Sequence, residues 1–211
     1  ETLPEFSDGL IADEGDILLP EDRNAIKKVW LDAIVPFVTD QSVAHRESEI
    51  QEAFKMISAS SCIRFVPHST EFNYLKLIEG PGCGSFVGCQ GGEQRVYFSK
   101  VCTVGNLCHE IMHALGLHHE HTRRDRDQYV TIKWDNILKG KEKNFDIKTG
   151  DDLGLPYDLK SIMHYGEFFF SRDGRRTLLP RKSEKDIGQR KQLNSLDVQK
   201  LNKLYHCGTL S

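Results

Sequence analysis

The sequence predicts an α+β domain of two lobes, and three observations carry that prediction. Short apolar or alternating segments, separated by Gly, Pro and Asn, fill residues 62–98 and read as a series of strands. Apolar residues recur at helical spacing before that series, just after it, and again at the C-terminus. Between the last two helical stretches the chain turns polar and is punctuated by Gly140, Gly150, Gly154 and Pro156, which predicts loops. Helix and strands on one side and loops with a final helix on the other make two lobes. With 211 residues the chain is long enough to bury a substantial core.

In chain order, residues 1–23 are acidic, with scattered apolar residues and two prolines. They read as an extended segment laid over something or as a disordered tail. Residues 33–38 (Ala-Ile-Val-Pro-Phe-Val) predict a strand, and Pro36 favours an edge position because it has no N–H for a ladder. From residue 42 to 58, Val43, Ile50, Phe54 and Ile57 share one helical face and Gln51 and Lys55 the opposite one. The expected strands that follow are 62–66, 74–78, 86–89 and 95–98. A helix is expected over 103–117, and a last one over 193–205, where Leu193, Leu196, Val198, Leu201 and Leu204 are the periodic residues.

The stretch His109-Glu110-Ile111-Met112-His113-Ala114-Leu115-Gly116-Leu117-His118-His119-Glu120 carries the chemistry. His109 and His113 are four residues apart, so on a helix their imidazoles lie on one face, one turn apart. Gly116 can end the helix and turn His119 back toward the same point. Three neutral imidazoles hold one zinc ion and leave a position open for water, as in a catalytic rather than a structural site. Glu110 stands beside them as a proton carrier. His118 and His121 are off this spacing and read as surface or supporting histidines.

Net charge is -3, which gives no reason to expect nucleic acid or an anionic membrane as partner. No apolar run approaches the ~20 residues that span a bilayer. The N-terminus lacks a basic start followed by an apolar segment, so any signal peptide is expected to have been removed. Six cysteines, none in a CxxC pair, are better read as three disulfides in an oxidising compartment than as buried thiols in a cytosolic enzyme. Spacing alone leaves their pairing open. A secreted, extracellular protein is expected.

Residues 109–127, HEIMHALGLHHEHTRRDRD, together with Ser161-Ile162-Met163-His164-Tyr165, closely resemble the astacin family of metzincin zinc endopeptidases. The likeness runs from about Asn24 to Cys207 and includes residues 62–67 and Ile187-Gly188-Gln189-Arg190. The additional pair Cys89 and Cys108 is similar to the six-cysteine astacins of fishes, relatives of hatching enzymes. The resemblance implies a metzincin domain, with a twisted mixed sheet and the zinc helix in the N-terminal lobe and an irregular C-terminal lobe ending in a helix. It implies His109, His113 and His119 as zinc ligands, Glu110 as general base, Met163 as the Met-turn and Tyr165 as an extra ligand that swings off to assist the transition state. It implies the disulfides Cys62–Cys207 and Cys83–Cys102, which leaves Cys89–Cys108 as the third.

The same resemblance gives the acidic N-terminal segment a role. Family zymogens place an aspartate of a Phe-x-Gly-Asp motif on the zinc; Asp13-Glu14-Gly15-Asp16 stands there, with Asp16 as the switch and Asp13 in place of the aromatic residue. Residues 1–23 are then a propeptide and 24–211 the peptidase domain. An activating protease would cut after Arg23 and free Asn24, and the new terminus would pair with Glu120. Arg181 aligns with a pocket arginine that favours acidic side chains after the scissile bond. Residues 94–99 are the candidate strand for pairing with an extended substrate. A monomer acting on protein or peptide substrates, egg-envelope or matrix proteins among them, is expected. The competing expectation is a catalytically silent relative with a binding or structural role, against which the intact Glu110, Tyr165 and three histidines argue.

Overall fold

The computed structural model describes residues 12–18, 29–182 and 187–208. Seven strands form one sheet: β1 (Ala12–Asp13), β2 (Ile17–Leu18), β3 (Ile34–Thr39), β4 (Arg64–Pro67), β5 (Tyr74–Ile78), β6 (Cys83–Phe86) and β7 (Glu93–Phe98), in the order β1-β2-β6-β7-β5-β3-β4. The β4, β3, β5 and β7 neighbours run parallel, and β6 lies antiparallel to β7. The sheet is therefore mixed, as the resemblance implied.

Two helices cover the sheet. α1 (Glu47–Ser58) follows a short 3-10 turn over Gln41–Arg46 and buries Ile50, Ala53, Phe54 and Ile57. α2 (Val104–Ala114) runs through the middle, with every residue from Gly105 to Ala114 buried. Together with Val35, Leu75, Leu77, Val96 and Phe98 they form the N-terminal core. A second core gathers Val130, Ile132, Phe145, Tyr157, Tyr165, Phe170, Leu178 and Ile187 in the C-terminal lobe. That lobe is mostly irregular, apart from an antiparallel pair, β8 (Val130–Ile132) with β9 (Leu178–Pro180), and the last helix, α3 (Ser195–Leu204).

The capping of α2 is written in its flanks. Thr103 Oγ1 accepts from Asn106 N at 3.2 Å, and Asn106 Oδ1 accepts from Thr103 N at 2.9 Å, a reciprocal cap for two orphan donors. At the other end Gly116 takes φ +109°, and its N–H reaches His113 O at 2.8 Å. Carbonyls of the last turn are met from outside: Trp30 Nε1 donates to Ala114 O (2.8 Å) and Tyr205 Oη to Leu115 O (2.9 Å).

Three expectations need correction. Pro36 does not mark an edge, because β3 has β4 on one side and β5 on the other. Phe37 O accepts from His68 N on the β4 side, so the alternating groups of Pro36 face β5, whose ladder begins only at Phe37. The missing N–H thus falls before the ladder starts. The strand expected over 86–89 is instead Cys83–Phe86; the following Gly88 takes φ +74° and turns its N–H to His113 O.

The disulfides are the third. Cys62–Cys207 joins the residues just before β4 to those just past α3, and Cys83–Cys102 closes the β6–β7 region, as expected. The Cys89–Cys108 bridge is not formed; both are buried thiols. Cys89 follows Gly88, whose N–H is bonded to His113 O near the C-terminal end of α2. Cys108 lies five residues before His113, about 7.5 Å back along the helix at ~1.5 Å per residue. There burial, and then the charge of Asp197, push its thiol pKa up. A disulfide needs the two Cα atoms within about 7 Å and the Cβ vectors facing.

Gly105 shows how closely the lobes meet. A Cβ there would lie 1.8 Å from Arg190 O and 2.4 Å from Arg190 C. Gly105→Ala is therefore expected to cost about 1–3 kcal/mol by overpacking despite alanine's better helix propensity. The denaturant midpoint at unchanged slope measures it, and an unshifted midpoint would mean that the Arg190 segment yields freely.

Candidate active site

α2 presents His109 and His113 on one face, and the turn at Gly116 brings back His119. All three are buried, and their Nε2 atoms converge: 3.1 Å between His109 and His113, 3.2 Å from each to His119. Each Nδ1 is engaged elsewhere, His109 with Ile162 O (2.8 Å), His113 with Leu117 O (2.7 Å) and His119 with Glu14 Oε2 (2.5 Å). An Nδ1 that donates to an oxygen leaves Nε2 as a bare lone pair. Lone pairs that face one another repel, so the geometry calls for a cation at their centre. Tetrahedral bonds of about 2.0–2.1 Å place zinc ligands about 3.3 Å apart, which matches.

Asp16 joins the group. Its Oδ2 is 3.1 Å from His109 Nε2 and 3.3 Å from His119 Nε2, and its Oδ1 is 3.8 Å from His113 Nε2. These four side chains are the set that could hold one metal ion among the described residues. Glu110, fully buried beside them, has neither carboxylate oxygen hydrogen-bonded among the described residues. An unpartnered buried carboxylate is costly unless something else meets it. The donor set and this orphan together fit a bound zinc.

The electrostatics have the same sense. Burial, reinforced by the Asp16 charge, holds the Glu110 carboxyl well above its usual range. Burial and then the Arg190 charge lower His109 to about 3, and burial holds His113 well below its usual value. Burial opposes charge on His119 too, but the Asp16 and Glu14 carboxylates outweigh it and raise its pKa to about 9. Burial also works against the Asp16 carboxylate, yet the His119 charge and its hydrogen bonds hold it well below the usual range. His109 and His113 are thereby held in the neutral form that binds a metal ion.

The C-terminal lobe supplies the floor. Ser161 to Met163 form a turn gripped by Asp197 of α3, whose carboxylate accepts from Ser161 Oγ at 2.5 Å and Ile162 N at 3.0 Å. That turn aims Ile162 O at His109, and Met163, 1 % exposed, packs with the N-terminal core. His164 lies outside the ligand group, with Nδ1 on Tyr165 O and Nε2 on Tyr157 Oη, each at 2.7 Å. Tyr165 is buried close by but does not enter the ligand group either: its hydroxyl donates to Glu14 O. Its ring stacks on His121 at 3.7 Å.

A profile described as Astacin (Peptidase family M12A) matches residues 22–206. The chain belongs to the astacin family. Astacin-family relatives include the low choriolytic enzyme of Oryzias latipes, 40 % identical over 92 % of this chain and 78 % of that protein. Zinc metalloproteinase nas-14 of Caenorhabditis elegans is 38 % identical over the whole chain, which spans only 45 % of nas-14's length. Among solved structures, high choriolytic enzyme 1, a hatching enzyme zinc-protease of Oryzias latipes, superposes with a TM-score of 0.80 at 34 % identity, over 85 % of this chain and 94 % of that one. This is a hatching-enzyme-like member of a zinc metalloproteinase family, with zinc as its cofactor.

Other expected site residues fall in different places. Glu120 is buried and already paired: Lys200 Nζ donates to it, Arg123 Nη1 lies at 3.2 Å and Asp158 N at 2.8 Å. Arg181 follows β9 with an exposed side chain, its N–H on Tyr129 O, and takes no part in the contacts of the histidine cluster given above. Arg23 and Asn24 lie outside the described residues. Residues 94–99 are not free to pair with a substrate, because β7 is flanked by β5 and β6, and β6 is in turn covered on its outer side by β2. The sequence reading left Asp197 and Glu14 without a role of their own, and gave His121 only as a surface or supporting histidine, where it in fact stacks on Tyr165. Asp197 had a signal in the Asn194-x-x-Asp197 capping box, but nothing local says that it also grips a turn some 35 residues earlier.

Zinc binding tests the ligand group directly. Metal-stripped protein dialysed against zinc is expected to take up one equivalent by atomic absorption, and His113→Ala to lose stoichiometric uptake. A full equivalent on the variant would remove His113 from the group.

Proposed function

We propose that the chain is the latent form of a secreted zinc endopeptidase that cuts extracellular proteins once residues 1–23 are removed. The observation that carries this reading is the Asp16 carboxylate, seated among the three imidazole nitrogens where a catalytic water belongs. The backbone supports it: Ile17 and Leu18 pair in parallel with Ser85 and Phe86 of β6 and so cover the edge strand of the sheet. An extended substrate would add to that same edge once the segment leaves, with main-chain hydrogen bonds giving affinity.

Bound zinc would lower the pKa of a water toward neutrality and polarise the scissile carbonyl as a Lewis acid. His109, His113 and His119 would hold it. Glu110, buried and raised in pKa, takes the proton of the attacking water and returns it to the leaving amine. Tyr165, released from Glu14 O, can donate its hydroxyl to the developing oxyanion, a contribution of about 3 kcal/mol. Met163 and its turn position His109 from below. Cleavage after Arg23 would free Asn24, and its ammonium would join the buried Glu120 carboxylate that Lys200 and Arg123 now hold.

Egg-envelope proteins are the substrate class that the choriolytic relatives point to, with matrix proteins as the other class. A protease acting after arginine is the implied activator. We expect a monomer in the extracellular space. No described helix is long and apolar enough to cross a membrane.

The decisive measurement is casein hydrolysis before and after trypsin treatment, with and without a zinc chelator. Activity should appear on treatment and vanish with the chelator. Glu110→Gln should keep its zinc and lose about 10²–10⁴ in turnover, and Asp16→Ala should raise activity before treatment. A treated, zinc-replete chain without activity would instead identify a silent relative.

Cleavage profiling addresses Arg181. The treated enzyme is expected to favour acidic residues after the scissile bond and Arg181→Ala to lose that preference; an unchanged profile would return Arg181 to the solvated surface.

A further inference from the structure

Glu14 is more deeply buried than Asp16 (2 % against 8 % exposed), yet it does not point at the converging nitrogens. Its Oε2 meets the outer nitrogen of His119, Nδ1, at 2.5 Å, its Oε1 lies 3.7 Å from Lys148 Nζ, and its carbonyl oxygen accepts from the Tyr165 hydroxyl. The backbone makes these contacts from a tight turn in which Glu14 (φ +54°) and Gly15 (φ +83°) are both left-handed. A Cβ at Gly15 would meet Phe170 Cζ at 2.5 Å, so the turn is pressed onto an aromatic ring of the C-terminal lobe.

The three histidines differ in where their outer partners come from. His109 uses Ile162 O and His113 uses Leu117 O, both from the body of the domain. His119 takes its partner from the N-terminal segment, and that partner is a carboxylate. A carboxylate on the second ring nitrogen fixes the tautomer and makes the ligating nitrogen more basic.

We propose that Glu14 is an outer-sphere residue of the metal centre, so that the uncleaved chain grips zinc through two side chains of its N-terminal segment: Asp16 at the metal and Glu14 behind His119. This rests on the reading of that segment as an inhibitory leader seated on the zinc. Its consequence is that the chain holds zinc more tightly before cleavage than after, because cleavage removes the acceptor that orients the third histidine.

Chelator competition on the intact, uncleaved chain tests it, with zinc alone as the probe and no activity readout. Glu14→Ala should weaken zinc affinity about 10–100-fold, the usual cost of losing such a partner. Glu14→Gln, which keeps an acceptor without the charge, should fall between. The same Glu14→Ala change made in an Asp16→Asn background separates orientation of His119 from mere seating of Asp16: a further loss of about tenfold is expected. Affinity unchanged by Glu14→Ala while Asp16→Asn weakens it, or no further loss in the double variant, would overturn the role of Glu14 and leave the leader reading standing. Affinity unchanged in every variant would overturn both. A cooperative thermal transition of the apo-protein in each variant shows that it is folded.

Discussion

Three buried imidazole nitrogens converging at about hydrogen-bond distance are the constraint on which the rest of the structure turns. Such an arrangement is tolerable only around a cation, and only while each ring's other nitrogen has an acceptor. Those acceptors dictate much of the architecture. Leu117 O is available because Gly116 ends α2 in a left-handed turn. Ile162 O is available because Asp197, at the start of α3, grips the Ser161–Ile162 turn. The two lobes are thus bound to each other through the site, and the close approach of Gly105 to the Arg190 backbone is the steric side of the same junction.

A second buried charge lies one residue beyond the third histidine. Glu120 is enclosed, with burial raising its pKa and Lys200 countering most strongly. Removing one partner of such a pair leaves a charge that the interior solvates poorly. If a new amino terminus arrives at Glu120, it enters a site already occupied by an ammonium and a guanidinium, so activation on this reading is an exchange of cations rather than the filling of an empty hole. The N–H of Glu120 is bonded to Met163 O at 2.9 Å, so any adjustment there is one hydrogen bond from the floor of the metal site.

Much of this was legible in the residues, and unevenly so. Local patterns named the helices well: the apolar face of α1, the periodic apolar residues of α3, and the two histidines one turn apart depend on neighbours within a few positions. The strand over 74–78 was read to the residue, whereas 86–89 was displaced because Gly84 and Ser85 mask an apolar signal that burial against α2 supplies instead. What could not be read depends on distant partners. Pro36 reads as an edge residue until one knows where the β5 ladder begins. Even cysteine number implied a third bridge, but Cys89 and Cys108 stand as buried thiols. Glu14 looked like one acid among many, because its partner is 105 positions away.

The missing aromatic residue at Asp13 sharpens what holds the N-terminal segment. Among its described residues the apolar anchorage is Ile17 and Leu18, both buried; Leu18 packs with Tyr97, Ile78 and Phe86, and the ring beneath Gly15 belongs to the body of the domain. The main attachments are ionic or hydrogen-bonded and converge on the histidines and Tyr165. Two groups that contact each other in the same state must stabilise each other's binding equally. A segment held mostly through its carboxylates therefore depends on the cation as much as the cation depends on it. Stripping the metal should loosen the segment, and removing the segment should loosen the metal, whereas an apolar anchor would have made the first of these effects small. On the proposed reading of that segment as an inhibitory leader, the charge-rich turn Asp13-Glu14-Gly15-Asp16 would couple latency to metal content in a way that an aromatic plug would not.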